Sequence, residues 1–160
     1  MDAKEDLEKH LISYSRYYTI KKEDVTEPFY CEAEFISHTE KFVLVKAAHI
    51  ADIDSNEFVY FHASDNLTLD NLLSCVEKAW ETGIGRVKPY NGHRNSDITV
   101  VFFSNKIEDE VFSSIKKVKK YKSYKFSLWG YSHLRVVIKD VSNGHISSNF
   151  QGRSLRKIFK

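Results

Sequence analysis

The chain has 160 residues, 42% hydrophobic and 29% charged, with 6 Gly, 2 Pro and 2 Cys. This excludes a disordered chain, a collagen-like repeat, a disulfide scaffold and long flexible linkers, and points to one domain over 1–160. The net charge of +2 conceals a division: residues 111–160 hold twelve Lys and Arg against one acid, Asp140, while residues 1–110 hold twelve against 21 acids.

Residues 3–15 read as a short helix, with Leu7, Leu11 and Ile12 at helical spacing. A strand near Tyr17–Lys21 follows, and Pro28 breaks the chain. Phe29–Ser37 alternates, with Phe29, Cys31, Ala33 and Phe35 on one face, the signature of a half-buried strand. Phe42–Ala48 and Phe58–His62 read as two more strands, and the short connections predict an antiparallel meander. Thr68–Thr82 has a helical stripe of Leu69, Leu72, Leu73, Val76, Ala79 and Trp80, with Thr68 as N-cap and Gly83 as the stop. Arg86–Ser96 is a polar loop. Asp97–Ser104 is apolar on both faces and belongs inside the sheet.

Lys106–Tyr121 carries Ile107, Val111, Phe112, Ile115 and Val118 at helical spacing, with Asn105 as the expected cap. Its acids lie near the start and its lysines near the end, which suits the helix dipole. Tyr124–Trp129 alternates as a strand would. Leu134–Val141 is another strand, and Ser142-Asn143-Gly144 turns it into His145–Asn149. A short basic helix is expected over Gln151–Phe159. The order α-βββ-α-β-α-βββ-α describes an α+β domain: a mixed β-sheet with an N-terminal antiparallel meander, flanked by helices.

The stretches His38-Thr39-Glu40-Lys41-Phe42-Val43-Leu44-Val45-Lys46-Ala47-Ala48 and Tyr124-Lys125-Phe126-Ser127-Leu128-Trp129-Gly130-Tyr131-Ser132 carry a resemblance. With Leu134–Val141 and the terminal Asn149-Phe150-Gln151-Gly152, they resemble a family of small stand-alone bacterial and archaeal proteins of unknown function. The resemblance covers the chain from about residue 17 and implies no activity, cofactor or site residue. The order α-βββ-α-β also resembles the core of restriction-endonuclease-like nucleases, which place an acid-x-Lys on the third strand to hold Mg²⁺. Here Glu57 is followed two places on by Val59, so the resemblance implies a degenerate site.

Glu32 and Glu34 share a strand face and could hold a hard cation. The solvated face of an alternating strand is the favoured reading of the two. With Asp52, Asp54 and Lys46 they form the set a metal-dependent nuclease-like enzyme would use. His49, Asp52, Asp54 and His62 could converge at a strand junction, but no fixed metal-ligand spacing is present. His93 and Arg94 read as loop polarity, Gly83-Ile84-Gly85 as a helix stop, and Cys31 and Cys75 as buried hydrophobes. No nucleophile motif, metal motif or cofactor-binding motif stands out, and the expectation is a non-enzymatic domain without a cofactor.

The basic aromatic stretch is the strongest feature. Lys116, Lys117, Lys119, Lys120, Lys122, Lys125 and Arg135 could contact phosphates, and Trp129 and Tyr131 could stack on bases, together with Tyr121 and Tyr124. The stretch also fits a helix's polar face plus core aromatics. The charge division admits the same pair of readings: a face for an acidic partner, or two segments neutralising each other. The leading reading is a binding domain with a basic C-terminal face for nucleic acid or an acidic protein. A nuclease-like enzyme and a homo-oligomeric structural module are the alternatives. The sequence contains no membrane-length apolar run, and Met1-Asp2-Ala3-Lys4-Glu5-Asp6 does not resemble a signal peptide, so a cytoplasmic location and no membrane partner are expected.

Overall fold

The computed structural model describes residues 1–36, 55–90 and 93–160. Parity along the strands sets the layers. In β3 (Ser55–Ser64), β4 (Asn95–Ser104) and β6 (Tyr131–Asp140), the even-numbered Phe58, Tyr60, Ile98, Val100, Phe102, Leu134, Val136 and Ile138 build one core. The odd-numbered Val59, Phe61, Val101, Phe103 and Val137 build a second core on the opposite face. Successive strand side chains point to opposite faces, so a sheet apolar at both parities must be covered on both sides.

The even face is covered by α2 (Leu69–Arg86) and α3 (Asp109–Ser114), and the odd face by α1 (Ala3–Tyr14) and a C-terminal 3₁₀ helix, Arg153–Phe159. The sheet is mixed, as expected of the α+β class. β1 (Thr19–Lys21), β2 (Cys31–Ile36) and β3 form an antiparallel meander. β3, β4 and β6 run parallel. β5 (Tyr121–Ser123) and β7 (His145–Ser148) both pair antiparallel with the outer edge of β6. The meander thus draws its first strand from Thr19–Lys21, and β2 pairs directly with β3. The strand expected at Phe42–Ala48 lies outside the described residues.

Local chemistry explains the helix starts. Asp2 caps α1 in a reciprocal box with Glu5: Glu5 N–H donates to Asp2 Oδ1 at 2.9 Å and Asp2 N–H to Glu5 Oε2 at 3.2 Å. Thr68 Oγ1 accepts from Asn71 N–H at 3.1 Å, as the sequence implied.

The end of α2 differs from expectation. The helix runs through Gly83 to Arg86. Gly83 is not a stop: a Cβ there would meet Ile98 Cδ1 at 2.6 Å, so glycine lets the helix lie against β4.

Lys106–Tyr121 is not one helix. Only Asp109–Ser114 is α-helical, followed by a 3₁₀ turn at Ile115–Lys117 and extended chain into β5. Lys116, Lys119 and Lys120 would sit three and four residues apart on a continued helix and repel one another. Asn105 does not cap it either. Its side chain accepts from Ala3 N–H at 2.8 Å and donates to Asp65 at 2.9 Å, tying α1 to the loop after β3.

The strand expected at Tyr124–Trp129 is the tip of the β5–β6 hairpin, where Lys125, Phe126 and Ser127 have φ of 51°, 54° and 71°. Among the described residues no helix is long and apolar enough to cross a membrane.

Candidate functional site

Two sets of charged residues stand apart from the rest. The first lies on the odd face of the sheet, beyond the end of α1. Register places Glu57 beside Asp97 and Thr99 beside Arg135. The fully buried Thr99 hydroxyl donates to Glu57 Oε2 at 2.7 Å and accepts from Arg135 Nε at 3.2 Å. Arg135 also forms an ion pair with Glu57, whose other oxygen accepts from the Tyr18 hydroxyl. Asp97 Oδ2 accepts from Asn95 Nδ2 at 3.1 Å and lies 3.9 Å from Arg135 Nε. Burial, partly offset by Asn95 and the His133 backbone N–H, pushes the Asp97 carboxyl up to about 6. Burial also pushes the Tyr18 hydroxyl well above its usual range. The arrangement holds one cation between two carboxylates in a largely water-excluded place. Sequence reasoning missed this cluster as a unit, because its members come from four separate elements.

The second set is the basic edge. Three of the twelve basic residues in 111–160 are neutralised: Lys120 by Glu77, Lys139 by Asp6 at 2.7 Å, and Arg135 by Glu57. The other nine form no ion pair with a described residue. Lys116, Lys117, Lys119, Lys122 and Lys125 are exposed along the turn and hairpin beside β6. Arg153, Arg156, Lys157 and Lys160 line an open groove of about 440 Å³ with Gly144, His145 and Ile146. β7 lies between the two stretches. It packs on both the 115–117 turn and the C-terminal 3₁₀ helix, and the Phe112 and His145 rings meet at 4.9 Å. Cations from distant parts of the sequence therefore border one sheet edge. Sequence reasoning grouped the lysines but left Arg153, Arg156, Lys157 and Lys160 out of its candidate set.

Arg135 belongs to the first set and not to this edge. Tyr131 stacks on Tyr121 with centroids 6.1 Å apart and also meets His133 at 4.8 Å, on the odd face of the hairpin. Trp129 lies under Lys125, whose ammonium is 4.7 Å from the ring centroid. Tyr124 is turned inward, its hydroxyl 2.9 Å from Ser132 Oγ and its ring against His93.

His93 is buried. Its Nδ1 meets the Trp129 carbonyl at 2.6 Å and its Nε2 meets Ser96 Oγ at 2.8 Å. A carbonyl only accepts, so Nδ1 carries the proton. The residue read as loop polarity is thus the pin that fixes the hairpin to β4. Gly130 completes the pin. Its φ is +84°, and a Cβ would fall 2.3 Å from the Arg94 carbonyl oxygen. Gly130→Ala is expected to destabilise the fold by roughly 2 kcal/mol, from the left-handed conformation and the backbone clash together. Urea unfolding measures this; an unchanged midpoint would show that the hairpin base tolerates a side chain.

Of the carboxylates in the nuclease-like reading, the two among the described residues, Glu32 and Glu34, are engaged by one arginine. Arg86 donates to Glu32 at 3.4 Å and to Glu34 at 3.2 Å, and it lies over the Phe58 ring. Asp52 and Asp54, with Lys46 and His49, lie outside the described residues. His62 packs between Phe29 and Phe102, and burial lowers its pKa. Among the described residues no three His, Cys, Asp or Glu side chains gather as metal ligands would. Both cysteines are buried, and burial raises the Cys31 thiol to about 12 and the Cys75 thiol to about 11. Neither forms an appreciable thiolate near neutrality.

No curated protein and no solved structure matches the chain. A family model does, over residues 2–160, and its description is a domain of unknown function. Nearly the whole chain falls within that model, so the protein belongs to the DUF8052 family.

Proposed function

We propose that this chain is a binding domain whose β5–β7 edge takes a nucleic acid through its phosphate backbone. The observation that carries the reading is the uncompensated charge: nine Lys and Arg side chains border one edge without an acidic partner among the described residues. Self-neutralisation between the described parts of the acidic and basic segments would have paired them. Among the described residues only Lys120, Lys139 and Arg135 are paired in that way, which leaves the other nine without an acidic partner there. An array of cations that continues from the 144–160 groove past β7 to the 116–125 stretch matches a linear polyanion, because each phosphate contact releases condensed counterions. Among the described residues the nuclease-like alternative has no comparable support, since Arg86 pairs with both Glu32 and Glu34.

The test is a titration of labelled single- and double-stranded DNA and RNA at several salt concentrations. Affinity is expected to fall steeply as salt rises. Reversing Lys117, Lys119 and Lys122 to Glu is expected to weaken binding at least about tenfold and to flatten the log–log salt slope by about 2. All three side chains are exposed and form no ion pair with a described residue, so the melting temperature should be preserved. Absence of binding at low salt would refute the reading.

A further inference from the structure

The hairpin tip is the least expected part of the surface. Phe126 is 98% exposed and Leu128 77% exposed, although both are large and apolar. They are not loose ends. Trp129 N–H donates to the Tyr124 carbonyl at 3.0 Å, Leu128 N–H to Lys125 at 3.0 Å, and Tyr124 N–H to Gly130 at 2.9 Å. The tip holds three consecutive non-glycine residues at positive φ. L-residues visit that region at an energetic penalty, and such strain persists where the surroundings over-determine it, commonly at binding sites. Here the strain turns Phe126 fully outward. A tip selected only for turning the chain would carry Gly or Asn at those φ values.

The charges around the tip narrow the occupant. Lys122 lies 5.7 Å from the Tyr124 ring centroid and Lys125 lies over Trp129, so both ammonium groups stay beside the hairpin with no acid among the described residues paired to them. Further along the same hairpin, the Tyr121 ring is half exposed and stacked against Tyr131. Tyr121 and Lys122 point to opposite faces of β5, so the tip itself combines the outward ring of Phe126 with the ammonium groups of Lys122 and Lys125. A ligand with flat apolar groups spaced along an anionic backbone matches this combination of an exposed aromatic ring and lysines with no acidic partner among the described residues. A single-stranded nucleic acid has that chemistry. A duplex does not, because its base faces are already stacked on one another.

We propose that the 121–131 hairpin is a single-strand-selective element, in which Phe126 stacks on an unpaired base while Lys122 and Lys125 hold the adjoining phosphates. This rests on the basic-edge reading and adds the class of nucleic acid. The edge supplies affinity for any polyanion, and the hairpin supplies preference for unpaired strands.

The test compares a labelled fifteen-nucleotide oligothymidine with a fifteen-base-pair duplex at moderate salt, using the full chain and its Phe126→Ala and Phe126→Trp variants. Oligothymidine is expected to bind about tenfold more tightly than the duplex. Phe126→Ala is expected to remove most of that margin while leaving duplex affinity unchanged. Phe126→Trp is expected to restore it, with its indole emission quenched on binding. Position 126 is exposed, so circular dichroism and melting should be unchanged in both variants.

Equal binding of both ligands by all three proteins would overturn the hairpin proposal and leave the basic edge standing. Absence of binding to either ligand would overturn both. Phe126-dependent binding to phosphatidylserine vesicles, with no Phe126 effect on oligothymidine, would overturn the hairpin proposal in favour of a lipid surface.

Discussion

Replacing Arg135 by Leu is expected to destabilise the fold by about 3–5 kcal/mol, a large part of the stability of an ordinary domain. The guanidinium is the one cation in the odd-face cluster, and Glu57 is 6% exposed. Removing the cation leaves the Glu57 carboxylate in a low-dielectric place with only the Thr99 and Tyr18 hydroxyls to answer it. Hydrogen bonds to a charged group are worth about 1.5–3 kcal/mol each, less than the penalty of an unpaired buried charge. For a chain of this length the loss corresponds to a fall in melting temperature on the order of 10 °C. Leu keeps much of the packing volume of the Arg stem, so the effect reads charge more than cavity. The double variant Glu57→Gln with Arg135→Leu should recover a substantial part of the loss, since neither buried charge then remains. Urea unfolding of the single and double variants checks this. A single variant within about 0.5 kcal/mol of the parent would show that water reaches Glu57 freely. The result also separates the two charge sets: Arg135→Leu should act through the folded fraction, whereas Lys122→Glu should act on binding at constant stability.

The layers were legible because they rest on parity and period. Apolar residues at both parities over 97–104 place β4 inside the sheet, and the stripe from Leu69 to Trp80 places α2 on one face. The meander was legible as a pattern but not in its membership, because pairing partners are a long-range property. Local pattern misled in two places. The apolar residues of 106–121 have helical spacing, yet Ile107 is buried in a bridge with Leu67 outside the helix, and the lysine run favours an early end. The alternation of 124–129 has strand spacing, yet three left-handed residues turn the chain there.

The odd-face cluster left a trace that a parity argument could have used. Asp97 and Arg135 sit at the parity that Val101, Phe103 and Val137 fill with apolar side chains. A charge on the apolar parity of an interior strand needs a buried partner. The identity of that partner follows only from register, which joins residues 57, 97 and 135. The basic edge was half legible for the same reason. Composition exposed the excess of cations, but only the fold shows which three are neutralised and that β7 brings the two basic stretches to one edge.

Asp97→Asn is expected to stabilise the protein by about 2–3 kcal/mol at pH 8 and by little or nothing at pH 4. The Asp97 side chain is 17% exposed, and the nearest cation, Arg135, is already paired with Glu57. Asp97 is therefore the surplus negative charge of the cluster. Its carboxyl titrates at about 6 in the fold, against 3.8 ordinarily. The folded chain thus binds a proton over an interval in which the unfolded chain has released it. Stability falls as pH rises through that interval, and the full penalty of about 3 kcal/mol is present above pH 6. Asparagine mimics the protonated acid: its carbonyl oxygen still accepts from Asn95 and the His133 N–H, and it carries no charge. The parent's stability should therefore decline between pH 4 and 6, while the variant's curve should lack that component. Unfolding free energies at pH 4.5, 6 and 8 give the comparison, and the difference between the two proteins should widen with pH. The opposite trend, with the variant losing ground as pH rises, would mean that Arg135 holds Asp97 as a second counterion despite the 3.9 Å separation. The cluster would then be a closed structural triad rather than an ion pair with a spare acid that titrates close to neutrality.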